Sequence, residues 1–328
     1  MRDMAARTRT GLTEKPAHAA TDDPRIRVDI AHLRRLEGRA KALSFLPRQP
    51  ARSVLNGRHA SRLRGRGLNF EELRGYLPGD DVRTIDWKVT ARTREPHVRV
   101  YTEERDRPAL IVVDQRMSMF FGSQLNVKSV TAAEAAALAA FRILDQGDRV
   151  GGIVFGDDVI AEVRPQRNRR ALNRLLSAIA EANARLHADA PVANPMPLNR
   201  VLGAVARIAR RDYLVLVVSD FDGIDDRTKT LIGGLARHND VVLCLVTDPI
   251  AHEIPENLRL VVSDGTLQAE IDTASGRVKR ALAEMSAGRL ARVLDWQRTL
   301  GVPVLPLSAG EETLPQIRRL MGFAAGTR

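Results

Sequence analysis

Two rhythms of apolar positions alternate along the last two-thirds of the chain. Short unbroken apolar runs, ALIVVD (109–114), RVGGIVFG (149–156), YLVLVVSD (213–220), DVVLCLVTD (240–248) and VPVLPLS (302–308), predict strands buried on both faces. Between them, residues 127–147, 169–186, 198–210, 225–239, 277–301 and 311–322 carry apolar residues at helical spacing. The first of these helices is rich in alanine, which permits close packing, and Gly147 suits its C-terminal cap. DDVIAEVRP (157–165) predicts a hairpin partner at a sheet edge, and residues 257–272 a β insertion. Strands alternating with helices predict an α/β fold: a doubly wound, mostly parallel sheet with helices on both faces.

The N-terminal third follows different rules. Residues 1–24 show no apolar period and read as a disordered tail. Residues 26–46 place Ile30, Leu33, Leu36, Ala40 and Leu43 on one helical stripe, with Asp29 as N-cap. Residues 48–67 read as irregular or extended. The predicted organisation is therefore a tail (1–24), a smaller N-terminal β and irregular region (25–105) and the α/β domain (106–328).

Composition sharpens this picture in two places. The net charge of +11 is concentrated in residues 1–100, which hold 22 basic and 12 acidic residues, and RQPARSVLNGRHASRLRGRG (48–67) has six arginines and no acid. Such a run serves a solvated surface or an acidic protein face. It lacks the interleaved aromatics of single-strand binders, so nucleic acid is not the expected partner. The single cysteine, Cys244, excludes an internal disulfide and reads as a buried small hydrophobe. No apolar run approaches the roughly 18 residues of a membrane span, and the first residues lack the apolar core of a signal peptide. The chain reads as soluble and cytoplasmic.

The recognised loops of phosphate binding, dinucleotide binding and zinc or serine hydrolysis are missing, and no catalytic residue is assigned. His187, His238 and His252 stand alone and read as surface or cap residues. What remains are two strands with the same ending. LIVVDQRMS ends in Asp114, with Arg116 and Ser118 behind it; LVLVVSDFDG ends in Asp220, between Ser219 and Asp222. In an open α/β sheet, ligands sit beyond the carboxyl ends of the strands where the winding reverses. If the two strands are neighbours there, both carboxylates face one crevice suited to a hard cation such as Mg²⁺. Asp225 and Asp226, by contrast, read as helix caps.

An apolar strand with Asp-x-Ser-x-Ser, a later Thr in a Gly-rich loop and a later strand ending in Asp resembles the metal-ion-dependent adhesion site of von Willebrand factor A domains. The resemblance covers about residues 106–308. It matches at Asp114, Ser118 and Asp220, and departs at Arg116 and at Met196, where the family has Ser and Thr. A thioether is a poor Mg²⁺ ligand, and a guanidinium can bridge two carboxylates. Two unit charges about 4 Å apart interact by roughly 4 kcal/mol at an effective dielectric near 20, and a divalent ion beside a fixed cation costs more. The expectation is no cofactor, with Arg116 either replacing the ion or pointing outward to an acidic partner.

NFEELRGYLPGDDVRTIDWKVTARTREPHVRVYTEER (69–105) is the most distinctive segment. Pro78-Gly79 marks a turn, and Tyr76, Asp80, Asp81, Arg83, Asp86, Trp87 and Arg92 crowd around it. The pattern predicts an ion-paired loop network around a buried tryptophan, or a docking surface. YLPGDDVRTIDWKVTAR (76–92) resembles the signature of a bacterial family, domain of unknown function 58, over about residues 55–250. That resemblance implies a MoxR-type AAA+ ATPase as partner, with client proteins assembled or matured by the pair; with the catalytic motifs missing, the expectation is a non-enzymatic interaction module. Two other readings stay open: nucleic-acid binding through 48–67, and a metal-dependent hydrolase at Asp114, Asp220 and Asp222 with Arg116 gripping a phosphate.

Overall fold

The computed structural model describes residues 23–41, 58–60, 68–78, 80–104, 107–157, 160–187, 195–251, 259–263, 268–272 and 276–321. Its N-terminal elements are helices α1 (Ile30–Arg35) and α2 (Glu37–Ala40), strands β1 (Arg58–Ala60) and β2 (Leu68–Gly75), helix α3 (Trp87–Thr93) and strand β3 (His97–Glu104). Then follow β4 (Pro108–Asp114), α4 (Lys128–Asp145), β5 (Arg149–Phe155), β6 (Ile160–Gln166), α5 (Arg169–Ala184), α6 (Leu198–Ile208), β7 (Leu214–Ser219), α7 (Asp226–Ala236) and β8 (Asp240–Thr247). The chain continues through β9 (Arg259–Ser263), β10 (Gln268–Asp272), α8 (Gly276–Leu300), β11 (Val304–Ser308) and α9 (Thr313–Leu320).

Six strands form one sheet in the order β11-β8-β7-β4-β5-β6. All neighbours are parallel except β5 and β6, the antiparallel hairpin at the edge. The period of two is legible in the core. Ala109, Ile111 and Val113 of β4 join the cluster under α4 and α5, whereas Leu110 and Val112 join the cluster with α6, α7 and α8. This is the mixed α/β sheet, flanked by helices, that the alternating rhythm predicts. The predicted β insertion is the antiparallel pair β9–β10.

Two local features place the central strands. Gly147 has φ +87°, its amide donates to the Leu144 carbonyl and the Asp148 amide to Ile143, closing α4 in a Schellman arrangement. In β5, a Cβ on Gly152 would stand 2.4 Å from the Ile111 carbonyl oxygen and one on Gly151 2.3 Å from that of Val163. Only glycine lets this strand approach both neighbours.

The predicted helix over 26–46 is broken into α1 and α2 at Leu36, with Asp29 capping α1 by accepting from the His32 amide. Residues 42–46 lie outside the described residues, as do 1–22 of the expected tail. Both short helices pack on the α/β unit rather than on the signature region: Val28, Leu33, Leu36 and Ala40 are buried in the cluster under α4 and α5. Of the basic run 48–67, only Arg58–Ala60 is described; it is a strand, paired with β3 in a separate sheet of order β1-β3-β2.

Candidate functional site

β4 lies at the centre of the sheet. From β4 the chain passes to β5 on one side, and from β7 it passes to β8 on the other. The winding therefore reverses between β4 and β7, and the crevice beyond their carboxyl ends is where Asp114 and Asp220 stand, both buried.

Arg116 turns inward between them. Its Nε donates to Asp114 Oδ1 at 3.0 Å and its Nη2 to Asp114 Oδ2 at 2.8 Å, a bidentate fork. Nη2 also lies 3.8 Å from Asp220 Oδ1. The remaining donors reach the carbonyls of Met196 and Asp222, at 3.3 Å each. The guanidinium carbon lies 5.6 Å from the centroid of the Phe155 ring, which supplies a face for the cation. Ser219 donates to Asp114 Oδ2 at 2.7 Å. Ser118 makes only a long contact, 3.5 Å, to Asp220 Oδ1. Met196 is buried and offers the crevice its carbonyl.

Two cations that the sequence reading missed complete the cluster. Lys128 Nζ is 2.7 Å from Asp220 Oδ2. Lys128 is the first residue of α4, where the helix dipole disfavours a cation, so Asp220 is what holds it there. Arg289 of α8 pairs with Asp222 and lies 3.9 Å from Asp220. Three cations thus meet three aspartates. The only sequence signal for Lys128 is a lysine at the first turn after a crevice-forming loop; for Arg289, in the middle of a long helix, there was none.

Burial opposes the charge of Arg116, but Asp114, then Asp220 and Asp222, outweigh it and raise its pKa. Burial pushes Asp114 above the usual carboxylate range, against the pull of Arg116 and the Ser219 hydrogen bond, and nearby Asp220 adds to the push. Burial pushes Asp220 the same way, yet Lys128 first, then Arg116 and Arg289, leave it below its usual value. The two carboxyls titrate as a pair with Asp220 ionising first. Asp225 caps α7 in a capping box with Thr228, as expected of a cap. Cys244 is buried, which pushes its thiol up to about 12. His187 and His238 are exposed, and His252 lies outside the described residues.

The signature segment is built differently. The Tyr76 amide donates to the Pro96 carbonyl and the Asp86 amide to that of His97, so residues 76–96 form the tip of the β2–β3 hairpin. Arg74 grips Asp80 at 2.7 and 2.8 Å, and the Leu77 amide donates to the same carboxylate. Asp81 accepts from the Arg83 amide, and Asp86 caps α3 through the amides of Lys88 and Val89. The aspartates thus mostly satisfy backbone, and Arg83 and Arg92 are exposed. Trp87 is 68% exposed, Leu77 60% and Val82 58%. The expectation of a buried tryptophan is corrected. Asp86, not Trp87, is the buried residue, because capping α3 turns its carboxylate inward and leaves the next side chain outside. Pro78 is an exposed turn residue, and Gly79 lies outside the described residues.

Among known proteins, Uncharacterized protein Mb1516 of Mycobacterium bovis and Uncharacterized protein Rv1480 of Mycobacterium tuberculosis are similar to this chain. Each is 31% identical over 318 residues, covering 94% of this chain and 96% of the relative. A family model described as "Protein of unknown function DUF58" matches residues 72–299, a span that holds the exposed tip, both aspartate-ended strands and Arg289. By that match the chain belongs to the DUF58 family.

Proposed function

We propose that the protein is a non-enzymatic interaction module, of von Willebrand factor A-like type, that works with a MoxR-type AAA+ ATPase on client proteins. The observation that carries this reading is the filling of the strand-end crevice by Arg116 and Lys128. In an adhesion site of that type, a divalent ion would take oxygens of Asp114, Ser118 and Asp220 and of a threonine where Met196 stands. Here both aspartates are already bound by cationic side chains, and Met196 supplies no hydroxyl. A further double charge among three cations is disfavoured, so the residues do not fit the ion. In this reading Arg116 and Lys128, paired with Asp114 and Asp220, make the site a structural clamp.

The partner surface in this reading is the signature tip. Exposed Trp87, Leu77 and Val82 offer the aromatic and aliphatic anchors of an interface, rimmed by exposed Arg83, Lys88 and Arg92. The test is calorimetric titration of the full chain with the MoxR-type ATPase of the same organism. The expected result is a complex that Trp87→Ala weakens about thirtyfold, in the range of an interface hot spot, and that the double reversal Arg83→Glu, Arg92→Glu weakens with a reduced salt dependence. Unchanged complex formation by both folded variants would count against the tip as the docking surface; absence of any complex would end the partnership itself.

A further inference from the structure

A second charged surface is assembled by the fold from segments far apart in sequence. RPQRNRRALNR, residues 164–174, joins β6 to α5 with five arginines and no acid. α1 and α2 contribute Arg34, Arg35 and Arg39. Arg169 pairs with Glu37 at 2.6 Å, Arg34 donates to Asn173 at 3.5 Å, and Arg174 donates to Gln166 at 3.3 Å. These contacts stitch α1, α2, the start of α5 and the end of β6 into one face. All eight arginines are exposed. Its acids are Glu37, engaged by Arg169, Glu312, 3.6 Å from Arg39, and the exposed Glu162 and Glu181 on β6 and α5.

We infer that this face binds the phosphate backbone of a double-stranded nucleic acid without reading its bases. The chemistry selects this occupant in three steps. The five exposed large hydrophobic residues among the described residues, Leu73, Leu77, Val82, Trp87 and Leu294, all lie elsewhere. A protein interface needs such anchors, and firm membrane attachment needs apolar insertion, whereas a phosphate backbone is held by charge alone. Single strands are held largely by stacking on aromatics, which this face lacks, so a duplex is favoured. Finally, every cation of the eight is an arginine, whose fork matches a phosphate bidentately. The inference is independent of the ATPase partnership and of residues 48–67.

The test is fluorescence anisotropy with the full chain, a labelled 20-base-pair DNA duplex, the RNA duplex of the same sequence and the corresponding single strands. Binding of a duplex is expected, with a slope of log affinity against log salt near −5, for roughly five or six neutralised phosphates. The preferred duplex identifies DNA or RNA as the source. The triple variant Arg164→Glu, Arg170→Glu, Arg174→Glu leaves the Arg169–Glu37 pair intact. It should lose roughly a hundredfold in affinity at about 100 mM salt and flatten the slope by about 3. A control with the same change of net charge, Arg210→Glu, Arg211→Glu, Arg237→Glu, should lose less than about fivefold. Both triples are checked for folding by circular dichroism. The inference is overturned by no duplex binding at about 50 mM salt, or by equal losses in the two triples. Tighter binding to single strands or to phosphatidylglycerol vesicles than to either duplex overturns it as well.

Discussion

The strand-end crevice and the hairpin tip carry the same tripeptide logic with opposite results. In Asp114-Gln115-Arg116 and in Asp81-Val82-Arg83, the aspartate accepts the amide of the arginine two residues on, at 3.0 and 2.9 Å. At β4 the arginine side chain then folds back onto its own aspartate and is 5% exposed. At the tip it stands in solvent. The difference lies in what surrounds the turn. Behind Asp114 runs a strand buried on both faces, and Lys128 across the crevice is engaged by Asp220, so a missing guanidinium would leave the buried Asp114 carboxylate uncompensated. At the tip water does that work, and the apolar side chains Leu77, Val82 and Trp87 are left facing outward. One aspartate–arginine turn is a clamp and the other a display.

The largest effect should come from breaking the clamp. Arg116→Ala is expected to destabilise the α/β unit by about 3–5 kcal/mol, the cost of removing one partner of a buried pair, whereas Arg83→Ala should stay within about 0.5 kcal/mol. Urea unfolding of both variants measures the contrast directly, and equal losses would erase it. Lys128→Met should fall between them, near 2 kcal/mol, because its side chain is 11% exposed and can hydrate its site.

The clamp should also respond to acid. Asp220 is held below its ordinary value of 3.8, so its contribution is fully present above that pH and is lost as pH falls through the lowered value. The stability difference between the native chain and Asp220→Asn should therefore be constant near neutrality and shrink below about pH 4. A difference that does not change with pH would show that the charge of Asp220 is not what matters. The smallest effect is expected at the display: Trp87→Ala should change unfolding free energy by less than about 0.5 kcal/mol.

Most of the architecture was legible from apolar rhythm alone, because strands buried on both faces and amphipathic helices have different periods. The same grammar marked the aspartates at the ends of β4 and β7, but the adjacency of these strands, only a condition in the sequence, comes from the sheet order. Partners that come from distant segments leave no trace in local pattern. Lys128 and Arg289 reach Asp220 across 92 and 69 residues, a pairing that no local pattern encodes. Trp87 is exposed although its setting among charges predicts a buried aromatic, because the N-cap immediately before it fixes which side chain turns inward. The break at Leu36 was hidden because Leu36 continues the apolar stripe and is itself buried.

The central claim is that a guanidinium, with an ammonium beside it, holds the place between Asp114 and Asp220 that an ion would otherwise take. Calorimetric titration with Mn²⁺ tests it most directly, on the native chain and on Arg116→Ser, Met196→Thr, which supplies two oxygen ligands and removes one cation. The account predicts no binding tighter than about 1 mM for the native chain and a clear gain in the double variant. Tight binding by the native chain, abolished by Asp114→Ala, would contradict it.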